Sequence, residues 1–169
     1  ILDSAKIAAD KMDLQEAYFD MQQVAEGVRS IGIGLVKEKP VDIRLEVANN
    51  LPQCFGDEFR TRQVLLNLVS NSAKFTSEGH VTISVYTQQI ADQLMVRVDV
   101  SDTGIGIAEE DLPALFEAFR QVDSSLTRTA EGTGLGLPIA KSLVELQGGE
   151  MFVETELNVG STFSITVPT

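Results

Sequence analysis

RQVLLNLVSNSAKFT, residues 62–76, is the stretch around which the rest of this chain is organised. At about 100° per residue, Gln63, Asn67, Ser70, Asn71 and Lys74 fall on one narrow stripe. Val64, Leu65, Leu66, Leu68, Val69, Ala73 and Phe75 cover the remaining sides. The pattern predicts a buried helix with a single polar seam. A solvated helix face carries Lys and Glu and seldom spends two Asn, each a weak helix former. Amides at i and i+4 with a Lys at i+7 suit ligand binding better, since neutral polar groups can complete the shell of a hydrated Mg²⁺, and an ammonium can meet a phosphate. An Asn-tolerant solvent face is the other reading of such a seam.

Composition sets the outer limits. The 169 residues are 43% hydrophobic and 22% charged, which fits one globular domain with a full core. A net charge of −12 speaks against a nucleic-acid surface, which needs a basic stripe, so any bound anion must be held locally. The single cysteine, Cys54, permits no disulfide within the chain and reads as a buried structural thiol. No apolar run approaches the roughly 18 to 20 residues of a membrane span, and the opening ILDSAKIAADKMD lacks a signal-peptide profile. The expectation is a cytoplasmic domain.

Working outward from the central helix, Leu2, Ala5, Ala9 and Met12 stand at helical spacing, as in the end of an earlier helix. A short strand is expected over 14–18, a helix over 21–37 closed by Pro40, a strand over 42–47 and a turn at Asn49-Asn50-Leu51-Pro52. Beyond the turn Ser77-Glu78-Gly79, Val81, Ile83 and Val85 alternate. After Gln88 to Gln93 come Leu94, Val96, Val98 and Val100, which together predict a hairpin. The second strand runs into Ser101-Asp102-Thr103-Gly104-Ile105-Gly106-Ile107. A carboxylate at a strand end followed by two glycines can accept from an exocyclic amine beside a backbone that a flat ligand can approach closely. Taken alone, Asp-x-Gly is also a common turn.

Phe116 and Phe119 follow, three apart, and then the polar run RQVDSSLTRTAE over 120–131, the length of a functional or disordered loop. Gly132-Thr133-Gly134-Leu135-Gly136-Leu137 leads into a helix over 138–147, with Pro138 tolerated in the first turn and Gly148-Gly149 as the stop. A glycine loop opening a helix favours phosphate through free backbone N–H groups and the positive helix end. The glycine spacing and the late position exclude the dinucleotide fingerprint. Strands over 150–155 and 161–167, joined at Asn158-Val159-Gly160, close the sheet.

QVLLNLVSNSAKFT, DVSDTGIGI, LFEAFRQ, GTGLGLPIAKSLVELQGG and GSTFSITVP, in this order and spacing, resemble the N, G1, F and G2 boxes and closing hairpin of the ATP-binding catalytic domain of bacterial two-component sensor histidine kinases. The resemblance covers nearly the whole chain, and its opening looks like the end of the family's second dimerisation helix. It implies a boundary with residues 1–13 as helix end and linker and 14–169 as the catalytic domain. The implied fold is an α/β two-layer sandwich of the Bergerat type, a mixed sheet of about five strands with three helices on one face.

By resemblance, the cofactors are ATP and Mg²⁺. Asn71 is the Mg²⁺ ligand, with Asn67 one turn earlier beside metal and phosphates, and Lys74 touches phosphate. Asp102 takes the adenine amine, Gly104, Gly106 and Ile107 line the base pocket, and Thr162 helps through water. Arg128 is a lid arginine approaching the phosphates, and Phe116 and Phe119 support the lid. Gly132, Thr133, Gly134, Leu135, Gly136 and Leu137 form the hinge and phosphate loop. Asn67, Lys74 and Arg128 are thus the expected catalytic set. Two positions depart from the family pattern: Glu131 stands where glycine is frequent, which bears on lid mobility, and Pro138 where a small residue is usual. The implied reaction donates the γ-phosphoryl group to a histidine on a separate dimerisation domain of the same protein, with a response-regulator receiver downstream. The fragment is expected to be monomeric and the full kinase homodimeric and in some cases membrane-anchored. An ATPase of the same fold and a nucleotide-binding regulatory domain without turnover are the alternatives.

Overall fold

The computed structural model describes residues 5–7, 9, 12–117 and 136–169. Ala5, Lys6 and Ile7 are helical, and Ile7 and Met12 pack against the core. In chain order the elements are β1 (Ala17–Phe19), α1 (Met21–Leu35), β2 (Val41–Val47), β3 (Cys54–Gly56), α2 (Glu58–Phe75), β4 (Gly79–Ile90), β5 (Gln93–Asp102), a 3₁₀ helix (Glu109–Ala114), α3 (Gly136–Leu146), β6 (Met151–Glu156) and β7 (Gly160–Pro168).

Five strands form one mixed sheet in the order β2-β4-β5-β7-β6. Within it the β2–β4 pair is parallel and the other three are antiparallel, as the β2–β4 connection through α2 requires. Helices α1, α2 and α3 cover one face. Alternation decides which side chains meet them: Ile83, Val100, Phe163 and Val153 stand in register across four strands on the helix side. On the opposite face Arg97 bonds Asp99 at 2.8 Å and Ser164 at 3.1 Å, while Tyr86 donates to Asp99 at 2.7 Å. β1 and β3 make a separate two-stranded ribbon. The CFG run of β3 is three residues long, too short for its alternation to mark it as a strand in the sequence.

The central helix is longer than its seam. Asp57 caps it by accepting from Arg60 N at 3.0 Å and ties in the entering chain by accepting from Gln15 N at 2.8 Å. Lys39 closes the other end, its Nζ 2.8 Å from Ala73 O and 3.4 Å from Thr76 O, where a cation meets the negative helix terminus. Gln147, just past α3, accepts from Asp57 N at 2.7 Å and donates to Leu143 O at 3.1 Å, joining the end of α3 to the start of α2. The hairpin loop between β4 and β5 is shorter than expected: β4 runs through Ile90, and only Ala91 and Asp92 turn, with Ala91 at φ 51°. Cys54 is fully buried, and burial followed by the Asp20 charge pushes its thiol up to about 12, the state of an inert structural cysteine.

Candidate functional site

The site is built on α2. Val64, Leu65, Leu68, Val69 and Ala73 are buried, while Gln63, Asn67 and Asn71 are half-buried and Ser70 and Lys74 exposed. The seam therefore lies on the open side of the helix. Among the described residues, three buried side-chain polar atoms have no hydrogen-bond partner: Asn67 Nδ2, Ser72 Oγ and Thr76 Oγ1. All three belong to this helix or its C-cap. Buried polar groups left without partners cost free energy and are usually answered by something outside the protein atoms.

At the far end of the helix Asp102 closes β5. Its Oδ1 accepts from Gly104 N at 2.9 Å and from Ser161 N at 3.3 Å, which leaves lone pairs on Oδ2 for an incoming donor. Burial raises its carboxyl above the ordinary value of 3.8, against the opposing pull of the Gly104 amide, the Ser72 hydroxyl and the Ser161 amide. Ser72 acts on Asp102 by proximity, since its hydroxyl makes no bond of good geometry. Through Ser72, α2 meets the carboxylate.

The loop after Asp102 is tied down on three sides. Ile105 N donates to Phe75 O at 3.4 Å, Asn158 N donates to Ile105 O at 2.7 Å, and Ile107 N donates to Thr155 Oγ1 at 2.9 Å. Gly106 sits between these bonds at φ 66°, in the left-handed region, with its Cα side against the Glu156 carbonyl where a Cβ would overlap backbone. Gly104, Gly106 and Ile107 therefore belong to one tied loop that starts at Asp102.

At the other end of the seam α3 begins on Asn67. A Cβ on Gly136 would lie 2.6 Å from Asn67 Oδ1 and 3.0 Å from Nδ2, so a side chain there would push the amide from its place. Leu137 packs on the core, as does Phe116, whose ring face is taken by Lys141 Nζ of α3 at 4.8 Å from the centroid. Phe119, Arg128, Gly132, Thr133, Gly134 and Leu135 lie outside the described residues, as does the loop expected over 120–131.

Thr162 is not brought to Asp102. It faces the opposite side of the sheet, where its hydroxyl meets Ser101 Oγ at 2.8 Å. The closing-strand residue that reaches the carboxylate is its neighbour Ser161, cross-strand partner of Asp102. Thr155, opposite Ser161 on β6, carries no signal in the sequence that singles it out. A groove of about 570 Å³ lined by Tyr18, Phe19, Phe59 and Arg62 beside the β1–β3 ribbon contains none of the seam or loop groups and is not the candidate site.

The family model for histidine kinase-, DNA gyrase B-, and HSP90-like ATPases matches residues 56–169. Hybrid signal transduction histidine kinase B of Dictyostelium discoideum is 40% identical over 99% of this chain and 9% of its own length. The autoinducer 2 sensor kinase/phosphatase LuxQ of Vibrio vulnificus is 39% identical over 99% of this chain and 20% of its own. The chain thus spans a fifth or less of these curated relatives. Among solved structures, full-length ShkA in complex with AMPPNP superposes with a TM-score of 0.85 at 34% identity, over 99% of this chain and 34% of that one.

Proposed function

The chain belongs to the family of histidine kinase-, DNA gyrase B- and HSP90-like ATPases and is an ATP-binding catalytic domain of a histidine kinase; from that premise we propose that it holds Mg-ATP along α2 and donates the γ-phosphoryl group to a histidine on a dimerisation domain of the same protein. Asp102 accepts the adenine amine, while Gly104, Gly106 and Ile107 supply the backbone wall of the base pocket. Ser161 takes the closing-strand role expected of Thr162. Asn67, Lys74, Gly136 and Leu137 meet the phosphates, joined in this reading by Arg128 and by Gly132, Thr133, Gly134 and Leu135, with Phe116 and Phe119 as supports. Further proposals are a helix end and linker over 1–13, a catalytic domain over 14–169, a receiver domain as the downstream partner and a cytoplasmic setting. No described helix is long and apolar enough to cross a membrane.

The observation that carries the reading is the cluster of unanswered buried polar atoms on one helix, which reaches Asp102 at one end through Ser72 and the start of α3 at the other through Asn67. Among the described residues no group of three His, Cys, Asp or Glu could hold a metal. A cation here would draw on the Asn71 amide oxygen, water and the ligand's own phosphates, a donor set that suits Mg²⁺. Bound there, Mg²⁺ would neutralise phosphate charge during transfer. The transfer breaks the bond from the γ-phosphorus to the β,γ-bridging oxygen and makes a phosphorus–nitrogen bond to the imidazole, releasing ADP. Asn67 carries an amide and cannot act as the general base that water attack would need.

Incubating the chain with γ-labelled ATP, Mg²⁺ and a separately prepared helical dimerisation segment bearing a histidine tests this. Acid-labile label on the added segment with slow release of free phosphate is expected. Rapid phosphate release in the absence of any acceptor would favour the ATPase alternative, and bound nucleotide without either product would favour a regulatory domain.

A further inference from the structure

On the helix side of the sheet, directly beyond the apolar register row of Val153, Phe163, Val100 and Ile83, stands a polar one: Thr155 on β6, Ser161 on β7 and Asp102 on β5. The hydroxyl of Thr155 is its hub. It accepts from Ile107 N at 2.9 Å, lies 3.1 Å from the Gly160 carbonyl to which it donates, and meets Ser161 Oγ at 2.8 Å. One donor and two acceptor positions are the full capacity of a hydroxyl. Two of those bonds end on groups of the proposed base pocket and the third on the peptide between them: Ile107 is the last residue of the Asp102 loop, Ser161 presents its amide to Asp102 Oδ1 at 3.3 Å, and the Gly160 carbonyl belongs to the same peptide as that amide.

We infer that Thr155 is a positioning residue for adenine recognition, fixing through one hydroxyl both the loop wall at Ile107 and the Ser161 backbone that aims the Asp102 carboxylate. The inference rests on the nucleotide reading above and adds to it a residue that touches no phosphate and lies in neither glycine loop. Its methyl and β-branch suit a strand, so the fold uses the side chain in two ways, and the two can be separated. Valine keeps the shape and removes the hydroxyl; serine keeps the hydroxyl and removes the methyl.

The experiment compares the parent chain with Thr155→Val and Thr155→Ser for binding of ATP and of inorganic tripolyphosphate, each with Mg²⁺, by displacement of a fluorescent nucleotide. Loss of the hydroxyl should weaken ATP roughly five- to tenfold, the size of a lost net hydrogen bond, leave tripolyphosphate unchanged, and be restored by serine. Amide exchange at Ile107 without ligand, read in the same three proteins, should quicken in the valine variant and recover in the serine one. Unchanged ATP affinity and Ile107 exchange in the valine variant overturn the inference while leaving the nucleotide reading intact. Equal losses for ATP and tripolyphosphate also overturn it, since they mark a general structural role. A parent chain that binds neither probe overturns the nucleotide reading and this inference with it.

Discussion

Around Asp102 the backbone from Thr103 to Ile107 is bonded to β4, to the end of α2 and to the β6–β7 hairpin, so the loop has its geometry before any ligand arrives. Along the seam of α2 the opposite holds: Asn67 Nδ2 is buried without a partner, and Asn71 and Lys74 turn to the open side. A flat, uncharged base can be recognised by a rigid frame of amides and one carboxylate, because it brings few degrees of freedom and no charge to neutralise. A triphosphate brings its own charge and cation, and on the seam that would meet it the fold leaves the Asn67 amide nitrogen unsatisfied. On the proposed reading, specificity is built into the sheet end and affinity for phosphate into the helix seam.

The strongest way to break that division is at Asp102. Asp102→Asn keeps the shape and the acceptor for Gly104 and Ser161 but removes the charge, and ATP affinity should fall by roughly 1.5 to 3 kcal/mol, the range for a hydrogen bond to a charged group. GTP, which offers a carbonyl where adenine has its amine, should bind poorly to the parent, and equal affinities for ATP and GTP in calorimetry would refute the base-end assignment. The pH dependence has a definite sign. The folded carboxyl lies above its ordinary 3.8 because burial disfavours the charge, so its contribution to stability is present at low pH and is lost as pH rises through the raised folded value. The asparagine variant should be no less stable than the parent at neutral pH. ATP needs the ionised acceptor, so affinity in the parent should drop as pH falls through that same raised value, and the variant should show no such drop.

A smaller effect is expected where the two regions meet. Lys39 holds the carbonyls of Ala73 and Thr76, and the turn between them carries Lys74 of the seam and Phe75, whose carbonyl receives Ile105 of the loop. Lys39→Met should lower the stability to denaturant by about 1 kcal/mol, as for a lost cation at a helix C-terminus, with a parallel modest loss in ATP affinity. An unchanged denaturation midpoint would mean that the helix end is held by packing alone.

How much of this was legible in the sequence follows from the range of each interaction. The seam of α2 could be read because helical period is a local property, and the loop at Asp102 because glycine and a strand-end carboxylate are local signals too. The cap by Lys39 could not, since it joins residues more than thirty positions apart and leaves no pattern in either segment. Nor could Gln147 bonded to Asp57 N, with |i−j| = 90. Thr162 stands one residue away from the group that reaches Asp102, because a strand alternates faces at every step and GSTF carries two hydroxyls in succession. Only the register of β7 against β5 decides between them. Thr155 is silent in the sequence for the same reason: its role depends on which residue stands opposite it on β7.

The smallest effect expected is none, at the chain's one histidine. His80 lies in β4 beside the base end, and its backbone is held on both sides: the amide donates to Thr103 Oγ1 at 3.1 Å, and the carbonyl receives Thr103 N at 3.2 Å. Thr103 is the residue next to Asp102, so His80 belongs to the region assigned to adenine and not to the seam assigned to phosphate. Val81, which follows it, is fully buried, and the strand cannot carry the imidazole across the site. In-line transfer requires the acceptor nitrogen within reach of the γ-phosphorus, which this placement denies when the phosphates lie along the seam as proposed. His80→Ala should therefore leave ATP affinity unchanged, and the unaltered chain incubated alone with γ-labelled ATP should take up no acid-labile label. Label that forms on the chain by itself and vanishes in His80→Ala would place the γ-phosphoryl group at the sheet end and reverse the division between the two regions.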